Sequence, residues 1–181
     1  MPTSPRPDLR LTYDDFLLFP DDGMRHELIE GEHYVTPSPT LRHQKLSGRL
    51  HLAIAEYLRA HPSRGEIYYA PLDVVLSNWD IVEPDLIFIA GDQLNILTEK
   101  NIVGAPAIVI EILSPSTRRR DQRLKHRLFE ARGVREYWMV DPDQNIVTVD
   151  RRGEGGRFTR GESLAAEGGA IRLRVDGKLH L

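Results

Sequence analysis

Apolar residues recur at helical spacing over one long segment of the chain and in short, nearly continuous runs over several others. Leu46, Leu50, Ala53, Ile54, Tyr57 and Leu58 stand three or four residues apart, which predicts an amphipathic helix, the strongest in the sequence. Ser38 reads as its N-cap. Pro39 then falls at the first helical position, where its missing N–H costs nothing. A second helix is predicted over residues 117–132, ending at Gly133, a residue type favoured just past a helix end. A short helix opens at Thr12, which with Asp15 has the spacing of a capping box, continues through Phe16, Leu17 and Leu18, and stops at Pro20.

Strand signals fill the intervals. Residues 27–30 and 33–35 flank Gly31, which can supply the positive backbone angle of a tight hairpin. In residues 70–76, Leu72, Val74 and Leu76 alternate with Asp73 and Val75, and Pro71 marks a strand start or an edge. Residues 85–89 and 107–113 are almost wholly apolar and too short for buried helices, as expected of central strands covered on both faces. Between them, residues 91–105 read as loop with at most a short helix, and Pro106 precedes the second run. Residues 136–140 and 146–149 form a further hairpin around Pro142, Asp143 and Asn145. The glycine-rich stretch 153–161 reads as a flexible loop, and residues 171–175 as one last edge strand. With three prolines and no apolar period, residues 1–10 read as a flexible arm. There is no internal repeat. The expected organisation is a single domain over residues 11–150, to which 151–181 add a loop and a peripheral strand. The class is α/β or α+β, with a mixed central sheet flanked by helices and added N-terminal and C-terminal hairpins.

Composition narrows the chemistry. The 181 residues are 40% hydrophobic and include no cysteine, which suits one soluble domain and excludes a disulfide scaffold, a thiol nucleophile and cysteine-ligated zinc or iron–sulfur sites. No run approaches the roughly 20 apolar residues that span a bilayer, so no membrane association is expected. The amino terminus lacks the apolar core of a secretory signal, and a cytoplasmic location is expected. The formal net charge of -3 argues against a surface that is basic throughout, so a polyanion must be met by a local patch.

A few charged residues stand where they do not belong. Glu111 sits inside Ala107-Ile108-Val109-Ile110-Glu111-Ile112-Leu113, where an unpaired carboxylate costs several kcal/mol. A buried ion pair, a raised pKa, a metal or a catalytic role would each compensate it. Asp85 follows Pro84 at the start of the neighbouring central strand. It is either a turn residue or, with Glu111, half of a hard oxygen site for a divalent cation. Lys125 points between Leu128 and Phe129 on the second helix, with Asp121 on the same face. Snorkelling or a helix-surface pair would explain it, as would a role inside. His43 faces the interior from the first turn of the long helix, as a satisfied core histidine or a functional one. Glu27 reads as an exposed strand residue or as a further site carboxylate. Arg118, Arg119, Arg120 and Arg123 crowd the positive end of the second helix, which favours a phosphate ligand over the helix itself, a solvated face being the alternative.

These residues lie within longer motifs. Glu27-Leu28-Ile29-Glu30-Gly31-Glu32, Pro37-Ser38-Pro39 with His43, Glu83-Pro84-Asp85-Leu86, the stretch from Val109 to Thr117, Asp121 with Lys125, and Gly133-Val134-Arg135-Glu136-Tyr137-Trp138-Met139-Val140-Asp141-Pro142 closely resemble the Uma-two family, whose members are described as putative restriction endonucleases. The family is similar to the PD-(D/E)XK nucleases. The resemblance implies a restriction-endonuclease-like fold and a magnesium-dependent endonuclease acting on DNA, with Mn2+ as a substitute for Mg2+. It implies that Asp85 and Glu111 hold the metal, with the backbone carbonyl of Ile112 completing the shell. Glu27 or His43 would support a second metal or the scissile phosphate, and the arginines would contact DNA. The lysine expected two residues after the glutamate is absent, because Leu113 stands there. The family pattern places it on the following helix, as Lys125, and replacing Lys125 by Ala is expected to stop cleavage while sparing the fold. The alternative function is a non-catalytic nuclease-fold module that binds DNA or a protein partner. A homodimer is compatible with either.

Overall fold

The structure, a computed structural model, describes residues 10–159, 161 and 163–165. The arm expected over residues 1–10, save Arg10, and the strand expected at 171–175 lie outside the described residues. The chain begins with α1 (Tyr13–Phe16), the hairpin β1 (Arg25–Ile29) and β2 (Glu32–Thr36), and the long helix α2 (Leu41–Ala60). Five strands follow: β3 (Gly65–Tyr69), β4 (Val74–Ser77), β5 (Asp80–Val82), β6 (Leu86–Ala90) and β7 (Ile102–Val103). After β8 (Ile108–Ile112) comes a helical stretch made of α3 (Arg118–Arg120), a π turn (Asp121–Lys125) and α4 (His126–Arg132). The strands β9 (Glu136–Asp141), β10 (Ile146–Arg152), β11 (Phe158–Thr159) and β12 (Ser163–Ala165) close the described chain.

The strands form two mixed sheets. The larger runs β11-β10-β9-β8-β6-β3, with β12 also on β10, and the smaller runs β2-β1-β5-β4-β7. In the larger sheet β8 and β9 are parallel, joined by the helical stretch as a crossover, while β6 lies antiparallel to β8. Every residue of β6, β8 and β9 is buried, as their apolar runs require of strands covered on both faces. One face packs Leu86, Phe88, Ile108, Ile110 and Trp138 against Ile54 and Leu58 of α2. The other packs Ile87, Val109, Tyr137 and Met139 against Val74 and Val82 of the smaller sheet and Leu128 and Phe129 of α4.

The layering is therefore α2, large sheet, and then the small sheet with α4. The small sheet is the main departure from the sequence expectation, which placed one sheet between helices. Its strand β5 has three residues, too few for a period to register, and β3 of the large sheet is half-buried and went unrecognised for the same want of contrast. The segment expected as a strand from residue 70 pairs only from Val74 onward. The hairpins are not appendages either. β1 bonds β5 in the small sheet, and β9 lies between β8 and β10 in the large one.

Local chemistry explains several boundaries. Thr12 and Asp15 form the expected reciprocal cap on α1. Glu30 and Gly31 both take positive φ, 57° and 78°, in the β1–β2 turn, the geometry of a two-residue hairpin loop. The N-cap of α2 is Thr40, whose hydroxyl accepts from the His43 N–H, so Ser38 and Pro39 belong to the extended lead and not to the helix. Gly133 ends α4 in the left-handed conformation at φ 93°. Within the stretch expected as loop at 153–161, β11 pairs with an extended β10. No helix of the described residues is long and apolar enough to cross a membrane.

Candidate active site

Strand register brings the two suspect carboxylates together. Leu86 faces Ile110 across the β6–β8 ladder. Alternation then puts Asp85, one residue before β6, opposite Glu111, both on the face of Ile87 and Val109. Asp85 is held from three directions. Its Oδ1 accepts from Arg25 Nη1 at 2.8 Å, and its Oδ2 lies 3.0 Å from His43 Nε2 and accepts from the Ile112 N–H at 2.8 Å. Burial opposes its charge, but the His43 contact, the Arg25 guanidinium and the Ile112 N–H outweigh it and hold the carboxyl below its ordinary range.

Glu111 is held from the helical stretch. Lys125, 3% exposed, donates from Nζ to Glu111 Oε1 at 2.6 Å and to Glu27 Oε1 at 2.7 Å, and stands 4.0 Å from Asp121 Oδ1. Asp121 and Lys125 bound the π turn, a local change of helical register that is frequent at functional sites. Both are buried there. Glu27, on β1, is buried rather than exposed and also accepts from the Glu83 N–H. Arg120 reaches the same place. Its Nη2 lies 3.6 Å from Glu27 Oε2 and donates to Thr36 Oγ1, and its guanidinium lies over the Tyr34 ring.

The cluster is short of positive charge. Burial pushes the Glu111 carboxyl up to about 8, helped by Asp85, Asp121 and Glu27, beyond what Lys125 offsets. Burial likewise raises Asp121. Glu27 stays below its ordinary value because Lys125 and Arg120 overcome its burial, and Lys125 stays protonated because Glu111, Glu27 and Asp121 overcome its own. Four carboxylates thus share Lys125, Arg120 and Arg25. Glu27 Oε2, Asp121 Oδ1, His43 Nδ1 and Arg120 Nε are buried with no hydrogen-bond partner among the described residues. The chain removes these groups from water and leaves part of their bonding capacity for something else.

Of these residues His43, Arg120 and Asp121 line a cleft of about 260 Å³, together with Asp85, Glu111, Ile112 and Lys125. A larger cleft of about 530 Å³ adjoins it across Arg25, His43 and Asp85. The donor set fits a hard cation, with carboxylate oxygens from two adjacent strands and charge to be balanced. Among the described residues no three His, Asp or Glu side chains converge at metal-ligand distances. A cation held here by Asp85 and Glu111 would keep several waters, as Mg2+ commonly does.

The fold thus gathers Asp85, Glu111, Ile112, Lys125 and His43 around one cleft, with Glu27 joined to them through Lys125, and it divides the arginines. Arg118 pairs with Asp141 and Asp143, Arg120 turns into the cleft, and Arg119 and Arg123 are exposed. They do not form one patch. Replacing Lys125 by Ala would leave Glu27 and Glu111 buried without their counter-charge, which sets the ion pairs against the expectation that this change spares the fold. Arg25 went unnoticed in the sequence. An arginine at a strand start carries no signal of its own, and its place beside Asp85 is set by pairing between β1 and β5.

Comparison with known proteins bears on the fold and the family. No curated protein matches the chain. A solved structure, a putative nuclease belonging to DUF820 from Anabaena variabilis ATCC 29413, superposes with a TM-score of 0.76 at 22% identity, covering 94% of each chain, a likeness of fold. The sequence pattern of the Uma2 family, described as a putative restriction endonuclease, matches residues 13–171. With the match spanning nearly the whole described fold, the chain belongs to the Uma2 family.

Proposed function

We propose that the protein is a magnesium-dependent endonuclease that hydrolyses DNA phosphodiester bonds, with the smaller cleft as its reaction site. The observation that carries this reading is the placement of the Lys125 ammonium 2.6 Å from Glu111 Oε1, on the sheet face shared with Asp85 and at an open cleft. Asp85, Glu111 and the Ile112 carbonyl are the residues that would hold Mg2+, or Mn2+ in its place. The bound cation would supply a water acidic enough to attack and would neutralise charge on phosphate.

The chain's own groups account for the rest. Lys125 remains protonated, so it serves as a donor to the attacking water or to a phosphate oxygen and not as a base. Glu111 and Glu27 fix the direction of its ammonium, with Asp121 4.0 Å away. Arg120 and Arg25 present guanidinium groups to the cleft, suited to a phosphate that gains charge as the bond to the incoming oxygen forms. His43 holds Asp85 in place from α2.

The test is cleavage of linear and circular DNA with Mg2+ or Mn2+, comparing the protein with Asp85→Asn and Glu111→Gln. Metal-dependent cleavage lost in both variants supports the reading. DNA binding without cleavage under any metal would overturn it in favour of a non-catalytic module.

A further inference from the structure

The larger cleft is not needed for the hydrolytic chemistry, yet it opens directly beside it. It shares Arg25, His43 and Asp85 with the reaction cleft. At about 530 Å³ it is within the size range of small-molecule sites. Its lining mixes a guanidinium, an aromatic ring and carboxyl groups. At the shared end Arg25 spends Nη1 on Asp85 and on the Glu83 carbonyl. Its Nε and Nη2 have no partner among the described residues, and the side chain is 20% exposed. On the side wall Tyr69 is 60% exposed, with its ring braced edge-on by His51 at 4.9 Å. Asp73 and Glu83 bring two carboxyl groups into the lining, close enough that the charge of Asp73 raises the pKa of Glu83.

We propose that this cleft is the subsite for one nucleotide of the substrate strand, with guanine as the preferred base. Arg25 takes its phosphate, Tyr69 stacks on the base, and Asp73 and Glu83 accept from its edge. The reading rests on the proposed nuclease activity only for why a nucleotide arrives there. The set of groups favours it. A guanidinium with free N–H donors, an exposed aromatic ring and two carboxyl groups in one cleft answer the three parts of a nucleotide, its phosphate, base face and base edge. Guanine presents N1–H and the 2-amino group side by side, the donor pair that one carboxylate accepts, whereas thymine presents a single N–H. An exposed, braced aromatic ring is the usual platform for an unpaired base.

The test is isothermal titration of the full chain, without divalent cation, with dGMP, dAMP, dCMP, dTMP and deoxyribose 5-phosphate. dGMP should bind about 10-fold or more tightly than dTMP and deoxyribose 5-phosphate, as carboxylate recognition of a base edge provides. Tyr69→Ala should weaken the nucleotides by about 10-fold and leave deoxyribose 5-phosphate unchanged, whereas Tyr69→Phe should retain binding. Glu83→Gln with Asp73→Asn should bring dGMP to the level of dTMP. Equal binding of all four nucleotides, binding no better than deoxyribose 5-phosphate, or no binding at millimolar concentration would overturn the proposal. The two readings fail separately. Guanine selectivity in a protein that never cuts DNA refutes the nuclease alone, and cleavage in a protein indifferent to dGMP refutes the subsite alone.

Discussion

Asp85 Oδ2 accepts a hydrogen bond from the Ile112 N–H at 2.8 Å, so a side chain at the start of one central strand pins the main chain at the end of its neighbour. The bond fixes the separation of Asp85 from the strand that carries Glu111. Asp85→Asn retains an acceptor for the Ile112 N–H and removes the charge facing Arg25 and His43. The variant should fold, with unfolding free energy within about 2 kcal/mol of the parent by urea titration, and should lose both Mn2+ binding by calorimetry and DNA cleavage. Cleavage at the parental rate would remove Asp85 from the site.

Lys125 is the counter-charge of Glu27 and Glu111, so Lys125→Ala should destabilise the fold by about 3–5 kcal/mol. Adding Glu27→Gln and Glu111→Gln should recover most of the loss, because the carboxylates that needed the ammonium are gone. A Lys125→Ala protein as stable as the parent in urea would show that the ion pairs are not made in solution.

Leu113 shares the strand face of Glu111 and is 3% exposed within the apolar cluster. Leu113→Lys alone should therefore destabilise the protein by several kcal/mol, on the order of a buried unpaired charge. Combined with Lys125→Ala, the new ammonium should restore part of the stability and part of the cleavage. No recovery of either would show that the helix position of the lysine is obligatory.

For DNA binding, Arg119 and Arg123 are exposed while Arg118 is engaged by Asp141 and Asp143. Replacing Arg119 and Arg123 by Ala should lower the slope of log affinity against log salt by about 2, because each phosphate that an arginine neutralises contributes about 1 to that slope. Arg118→Ala should change stability more than slope. An unchanged slope in the double variant would reject phosphate binding by these residues.

Burial pushes Glu83 up to about 7, with Asp73 and Glu27 adding to it. Its folded pKa lies above its unfolded value, so the folded state binds the extra proton. That contribution is complete below about pH 4.5 and is lost as pH rises through about 7. The protein should be less stable at about pH 8 than at about pH 5 by an amount on the order of 2 kcal/mol from this group, and Glu83→Gln should flatten the difference. Urea titrations of parent and variant at both pH values check this, and an identical pH dependence in the two would reject it.

What the sequence determined by itself was the kind of element and the identity of the misplaced charges. The runs around Asp85 and Glu111 are buried central strands, the helices end at Ala60 and Arg132 near where their patterns stop, and Gly31 and Gly133 take the positive φ expected of them. Such features are local, because periodicity, caps and turns are properties of a few neighbouring residues. An ionisable residue inside an apolar run is also visible without coordinates, since its cost in a core is intrinsic to the group.

Only the tertiary structure decided what those charges meet. Lys125 and Glu27 are 98 residues apart in the chain and 2.7 Å apart in space, a pairing that no spacing rule contains. The small sheet brought Arg25 and Glu27 over Asp85 and Glu111. It also buried Glu27, for which the sequence had left open an exposed strand position or a place among the site carboxylates. The arginine run was split between Asp141, the cleft and solvent by the direction of each side chain on a helix whose register a π turn resets. Burial, counter-charge and open hydrogen-bonding capacity belong to the assembled neighbours and not to the residue, which is why the misplaced charges around the cleft, Arg25 apart, were visible in the sequence and their electrostatics were not.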